Sequence, residues 1–103
     1  MKVKLSVLER VTLLGLLPPM ENYATIKVVT ELNRQLGFSG KEAKDIDFKV
    51  EGDRVVWNPS KEKEVEFEFG KYEVDIIVEA LEKADTDKKV EPRMVPLWDK
   101  FIK

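Results

Sequence analysis

The spacing of the apolar residues changes twice along the chain, and this change limits the fold more than any other feature. Between residues 6 and 46 apolar side chains recur every three to four positions, the spacing of an amphipathic helix. From Phe48 to Phe69 they alternate, as strands require, and after Gly70 the helical spacing returns. This order predicts an α+β fold with N-terminal helices, a small antiparallel sheet of about three strands and C-terminal helices.

Capping residues and helix breakers set the limits of the predicted helices. Ser6 and Ser39 each precede a glutamate by three positions, which is the capping-box pattern, and Pro18-Pro19 ends the first helix. Gly37 is placed to end the second helix in the left-handed conformation. The predicted helices are about 6–17, about 23–36 with Asn22 or Thr25 as the cap, about 40–46 and about 71–84.

Three short segments of the middle region predict strands. Phe48–Val50 and Val55–Trp57 flank turn residues, which indicates a hairpin. Between Glu64 and Phe69 glutamates alternate with apolar residues. We expect the apolar set to be buried and the glutamates exposed, because burying unpaired carboxylates is costly. The residues expected in the core are Trp57, Phe67, Phe69, Ile77 and Leu81.

Composition bounds the function. The chain has 103 residues, 43% of them apolar and 37% charged, which is enough for one globular domain spanning 1–103. It contains no histidine and no cysteine, which excludes Ser-His and Cys-His nucleophile systems and Cys/His zinc sites. The net charge of −2 gives no strong positive field for phosphate binding. We therefore predict no catalytic residue, no cofactor and no metal ligand.

Sequence features also bear on location. The apolar run between residues 5 and 17 contains Glu9 and Arg10 and is too short to span a bilayer. The absence of cysteine fits an intracellular protein. We expect a cytoplasmic protein that does not enter a membrane.

The C-terminal segment carries an apolar stripe after the charged linker 85–91. The stripe consists of Met94, Leu97, Trp98 and Phe101. We expect a C-terminal helix within 92–102, which starts either at Pro92 with a kink or at Pro96. Four large apolar side chains are seldom left exposed, so the helix packs on the core, on a second copy or on another protein.

A second candidate interaction surface is acidic. Residues 62–87 carry ten acidic side chains and three lysines. Asp75, Glu79 and Glu82 share one helical face, which is either an ordinary solvated face or a surface for a basic partner.

These observations favour a non-enzymatic protein that binds another protein or itself through its surface. One alternative is a winged-helix-like nucleic-acid-binding protein, since three helices precede a hairpin. The hairpin tip, Glu51–Arg54, would repel phosphate, and we expect no specific binding of duplex DNA. A second alternative is a carboxylate-based hydrolase using residues such as Asp45, Glu64 or Glu66, which would have to converge in a pocket.

Three segments carry a resemblance to known sequences. They are Leu8–Pro18, Phe48–Trp57 and Leu97–Ile102. In their residues and order they resemble small proteins of unknown function from bacteriophage and prophage genomes. The resemblance implies a phage-related origin, and therefore the cytoplasm of a host cell, and brings no functional residues with it.

Overall fold

The α+β class is confirmed by the computed structural model, which describes residues 1–102. Within these residues five α-helices accompany two antiparallel two-stranded sheets. The strands are β1 (Lys2–Leu5), β2 (Lys49–Glu51), β3 (Arg54–Val56) and β4 (Val65–Glu68). The helices are α1 (Val7–Leu16), α2 (Tyr23–Leu36), α3 (Gly40–Asp45), α4 (Lys71–Thr86) and α5 (Val95–Phe101), with 3₁₀ turns at Pro59–Lys61 and Pro92–Met94.

The strands are arranged differently from the single sheet of about three strands that the sequence predicts. β4 pairs with β1, a strand that the prediction lacked, in a register that sets Val3 opposite Phe67. The hairpin of β2 and β3 forms a second sheet, closed by a two-residue turn in which Gly52 has a φ of +62°. Such a turn favours glycine. β4 does not join this hairpin, and its partner β1 lies near the start of the described residues.

The predicted limits of the helices are largely confirmed, and α2 ends at Leu36 as expected, but the predicted conformation of Gly37 is wrong. The Ser6 hydroxyl accepts from the Glu9 amide and the Glu9 carboxylate accepts from the Ser6 amide, which completes the capping box. Gly37 has a φ of −66° and a ψ of 168°, so the predicted left-handed conformation is wrong. The carbonyls of Leu36 and Gly37 accept instead from the Arg10 guanidinium, and this removes the need for a glycine-type cap.

The predicted alternation of residues 64–69 is confirmed. Phe69 is buried, Val65 and Phe67 are half-buried, and the three glutamates are exposed. Ile77 and Leu81 are fully buried in the core as expected. Trp57 is only half-buried and lies outside the main apolar cluster.

The C-terminal stripe packs on the core of its own chain. The 3₁₀ turn begins at Pro92 and α5 follows from Val95, so the segment bends where two prolines interrupt it. Met94, Leu97 and Phe101 are buried, and Trp98 is half-buried against the same cluster. These side chains therefore form no exposed stripe for a partner. Among residues 1–102 no helix has the length and apolar character needed to cross a bilayer.

Candidate functional site

A broad open groove lies between α1, α2 and α4, with the segment 87–94 forming part of its wall. Its volume is about 1120 Å³. The apolar side chains that line it include Val11, Leu16, Val28, Ile76 and Ala80. The helices pack against one another through their buried apolar faces. Next to those contacts, small and branched residues of the same helices remain uncovered and form the groove.

Gly15 contributes to the opening of the groove. It is an exposed glycine near the end of α1, and a Cβ built there would meet no atom within 4 Å. Glycine inside a helix lowers stability relative to alanine, and no close backbone contact requires it here. The missing side chain leaves free space beside Val11.

Two large apolar side chains stand on the rim of the groove almost fully exposed. Met20 is 82% exposed and Tyr72 is 75% exposed. Single exposed apolar residues are common, but these two lie beside an apolar concave surface and so enlarge one contiguous area of exposed apolar surface. Such a patch is typical of surfaces that bind other molecules.

The charged lining of the groove is acidic in balance, with five carboxylates and three cations. Asp75 and Glu79 lie one helical turn apart on α4 and line the groove. Among residues 1–102 neither has a cationic partner within 4 Å. Within the described part of the chain, Arg93 is paired with Glu91 at 2.6 Å, and the other two cations of the lining have no carboxylate within 4 Å. The rim along the first half of α4 therefore presents two carboxylates that are open to a basic group.

The groove brings together only part of the predicted interaction surface. Asp75 and Glu79 line it, and the buried Met94 forms part of its wall. Glu82 is exposed on α4 but does not line the groove. The remaining predicted residues, Leu97, Trp98 and Phe101, belong to the core and its edge.

On another face of α1 the structure contains a buried charge that sequence analysis missed. Arg10 is 2% exposed, and its guanidinium donates to the carbonyls of Leu36 and Gly37 and to both carboxylate oxygens of Glu42. It also lies 4.0 Å from the centre of the Phe38 ring. Each of its neighbours is a group that a cation favours, so this cluster joins α1, α2 and α3.

Two further carboxylates have structural roles. Glu9 is buried and accepts from Lys100, at 2.8 Å, which ties α5 to α1. Glu62 accepts from the Val7 amide at 2.8 Å and from the Trp57 indole at 2.9 Å, and this connects the hairpin region to the start of α1. The sequence signal for such roles was the presence of charges inside an apolar run, as at Glu9 and Arg10.

The residues named for the hydrolase alternative lie apart from the groove. Asp45 and Glu66 are exposed, and Glu64 lies 3.6 Å from Lys100. Within residues 1–102 no group of three or more acidic side chains is arranged to hold a metal ion. The pKa of Glu31 is lowered, mainly by the hydrogen bond from Arg34 and then by Gln35, but this residue lies on the surface outside the groove.

Comparison of the chain with protein-family models, with curated proteins and with solved structures gives no match. Function is therefore inferred from the groove and its charges.

Proposed function

We propose that this chain is a non-enzymatic protein-binding domain, and that its groove takes an amphipathic helix carrying basic residues from another protein. The observation that carries the proposal is an open apolar groove lined by two carboxylates, Asp75 and Glu79, that have no cationic partner among residues 1–102. Recognition of a helix in a groove uses this combination, with apolar anchors on the floor and charges at the edge.

The dimensions of the groove fit a helical ligand. Its lining follows α4 from Tyr72 to Asp87, which is about 22 Å at the rise of a helix. A ligand helix of about four turns covers that length. Basic residues four positions apart on the ligand match the spacing of Asp75 and Glu79.

The acidic balance of the groove favours a basic protein segment over a phosphate backbone. The exposed hairpin tip, which a winged helix would use on DNA, carries Glu51 and Asp53 beside Arg54. Both surfaces have carboxylates where phosphate would require cations.

Model peptides test the proposal directly. One peptide of about 14 residues places leucine on one helical face and lysine on the other; the matched peptide replaces every lysine with glutamate. We expect the lysine peptide to bind, with NMR shift changes at residues that line the groove, and the glutamate peptide not to bind. Equal binding of both peptides, or shift changes elsewhere, would contradict the proposal.

Charge reversal on α4 identifies the carboxylates involved. The double variant Asp75→Lys, Glu79→Lys should lower the affinity for the lysine peptide by about tenfold or more, because two attractions become repulsions. The double variant Glu82→Lys, Asp85→Lys is the matched control, since it reverses two charges on the same helix outside the groove lining. Equal loss in the control would show non-specific attraction to an acidic surface.

Filling the groove is a test that does not depend on charge. Gly15→Trp adds a large side chain at an exposed position of α1, where a Cβ would meet no atom within 4 Å. We expect the variant to melt cooperatively and to lose binding of the lysine peptide. Retained binding would place the peptide elsewhere on the molecule.

The phage-related origin implied by the resemblance of Leu8–Pro18 stays a prediction. The identity of neighbouring genes tests it. Phage structural or regulatory genes on both sides would support it, and a conserved host operon would contradict it.

A further inference from the structure

The hairpin offers a second surface that is independent of the groove. The outer edge of β2 pairs with no other strand of residues 1–102, and all three of its residues are exposed. Val50 in its centre is 69% exposed. An isolated two-stranded sheet is only marginally stable, and an uncovered edge is a template for another strand.

The turn of the hairpin determines which backbone groups face outward. Glu51 lies opposite Arg54, directly beside the two-residue turn, and Val50 lies opposite Val55. In such a hairpin the pair next to the turn exchanges hydrogen bonds and the following pair does not. The N–H and C=O of Val50 therefore point away from β3, toward the open edge.

We propose that β2 pairs with β2 of a second copy of this chain, antiparallel about a two-fold axis at Val50. Val50 then exchanges two hydrogen bonds with its own counterpart, and Lys49 lies opposite Glu51 of the other copy. The contact is isologous, so each copy supplies the same edge and the assembly closes as a dimer. The two hairpins become one four-stranded sheet.

The side chains on both faces of that sheet match. On one face the register aligns four valines in a row, Val55 and Val50 of one copy followed by Val50 and Val55 of the other. On the other face each row reads Arg54, Glu51, Lys49, Val56, with Glu51 between two cations. Cross-strand pairs of these kinds stabilise antiparallel sheets. This self-complementarity selects a second copy over an unrelated strand.

A charge swap tests the register. Lys49→Glu sets a second carboxylate opposite Glu51 of the other copy, and should weaken the dimer about tenfold because two attractive pairs become repulsive. Adding Glu51→Lys exchanges the two charges and restores an opposite-charge pair, so dimerisation should return. Sedimentation over a range of concentrations up to about 1 mM measures both, since even millimolar association is detected there.

A backbone variant tests the hydrogen bonds. Val50→Pro removes the outward N–H and leaves the hairpin's own ladder intact, so it should abolish dimerisation while the monomer still melts cooperatively. Wild-type protein that remains monomeric up to about 1 mM would overturn the proposal, as would a dimer that neither Lys49→Glu nor Val50→Pro weakens. A dimer weakened equally by the single and the double charge variant would overturn the register.

Discussion

Arg10 and Val11 are consecutive residues on α1, but they lie in opposite kinds of surroundings. Arg10 is a charge that proteins normally expose, and here it is enclosed and bonded to two carbonyls and a carboxylate. Val11 is an apolar residue that proteins normally enclose, and here it lines an open groove. One helix therefore has a closed charged face and an open apolar face.

The two faces of α1 differ in what they contribute to the stability of the fold. A buried cation is tolerated only when its bonds offset the loss of hydration, and the bonds of Arg10 achieve this by joining three helices. The open apolar groove contributes no comparable stabilisation, because water still contacts its floor. The enclosed charge is thus explained by folding, whereas the open groove is the surface for which we propose a ligand.

The largest effect should come from the closed face. Arg10→Ala removes the donor to Leu36 and Gly37 and leaves Glu42 without its partner, which should lower the free energy of unfolding by about 3–5 kcal/mol. Urea denaturation measures it. A loss below about 1 kcal/mol would show that the cluster is not structural, because surface pairs contribute that little.

The C-terminal helix should behave as part of the closed structure. Trp98 is half-buried against the core, so Trp98→Ala should lower the free energy of unfolding by about 2 kcal/mol, near half the cost of a fully buried site. The loss should not depend on protein concentration, and light scattering should give the wild-type mass. A variant that changes its oligomeric state but keeps its stability would show that α5 forms an interface between molecules.

On the open face of α1 we expect a substitution that raises stability. Gly15→Ala should raise the free energy of unfolding by about 0.5–1 kcal/mol, because alanine favours the helix and its Cβ meets open space. Thermal melts of the two proteins at the same concentration measure the difference. A loss of stability would mean that the space at Gly15 is needed by the fold itself.

The smallest effect should come from an exposed pair with the same chemistry as Arg10 and Glu42. The pKa of Glu31 lies below its ordinary value of 4.5 because Arg34 donates to it. Its contribution to stability is therefore present above that value and lost as the pH falls through the lowered pKa. Glu31→Gln should leave the melting temperature at pH 7 unchanged within error, whereas Glu42→Gln should lower it clearly. Equal changes in melting temperature for the two variants would contradict the expected difference between enclosed and exposed charges.

Local features of the sequence predicted the helices and several caps, because those depend on neighbouring residues. Ser6, Asn22 and Ser39 each cap a helix through the side chain. β1 could not be predicted in this way. Its four residues, Lys2–Leu5, alternate too briefly to indicate a strand, and the partner that stabilises them lies at 65–68.

The groove depends on how three helices meet, and local patterns in the sequence do not reveal that arrangement. Asp75 and Glu79 were identified as an acidic face, but only the packing of α4 separates them from Glu82. The position of Gly15 within a predicted helix could have indicated the groove, because glycine lowers helix stability relative to alanine. The burial of Arg10 was not predicted because the groups that enclose it, from Leu36 to Glu42, come from another part of the chain.

The pairing of β1 with β4 has a consequence for how the chain folds. The strands are separated by about 60 residues, so closing that loop costs entropy before any contact between them forms. At ribosomal rates of roughly 5–20 residues per second, β1 waits about 3–12 s for β4 to be synthesised. We expect the helices between them, whose contacts are local, to form during that interval. We therefore expect β1 to pair only after α1, α2 and α3 have formed, although it precedes all three in the chain.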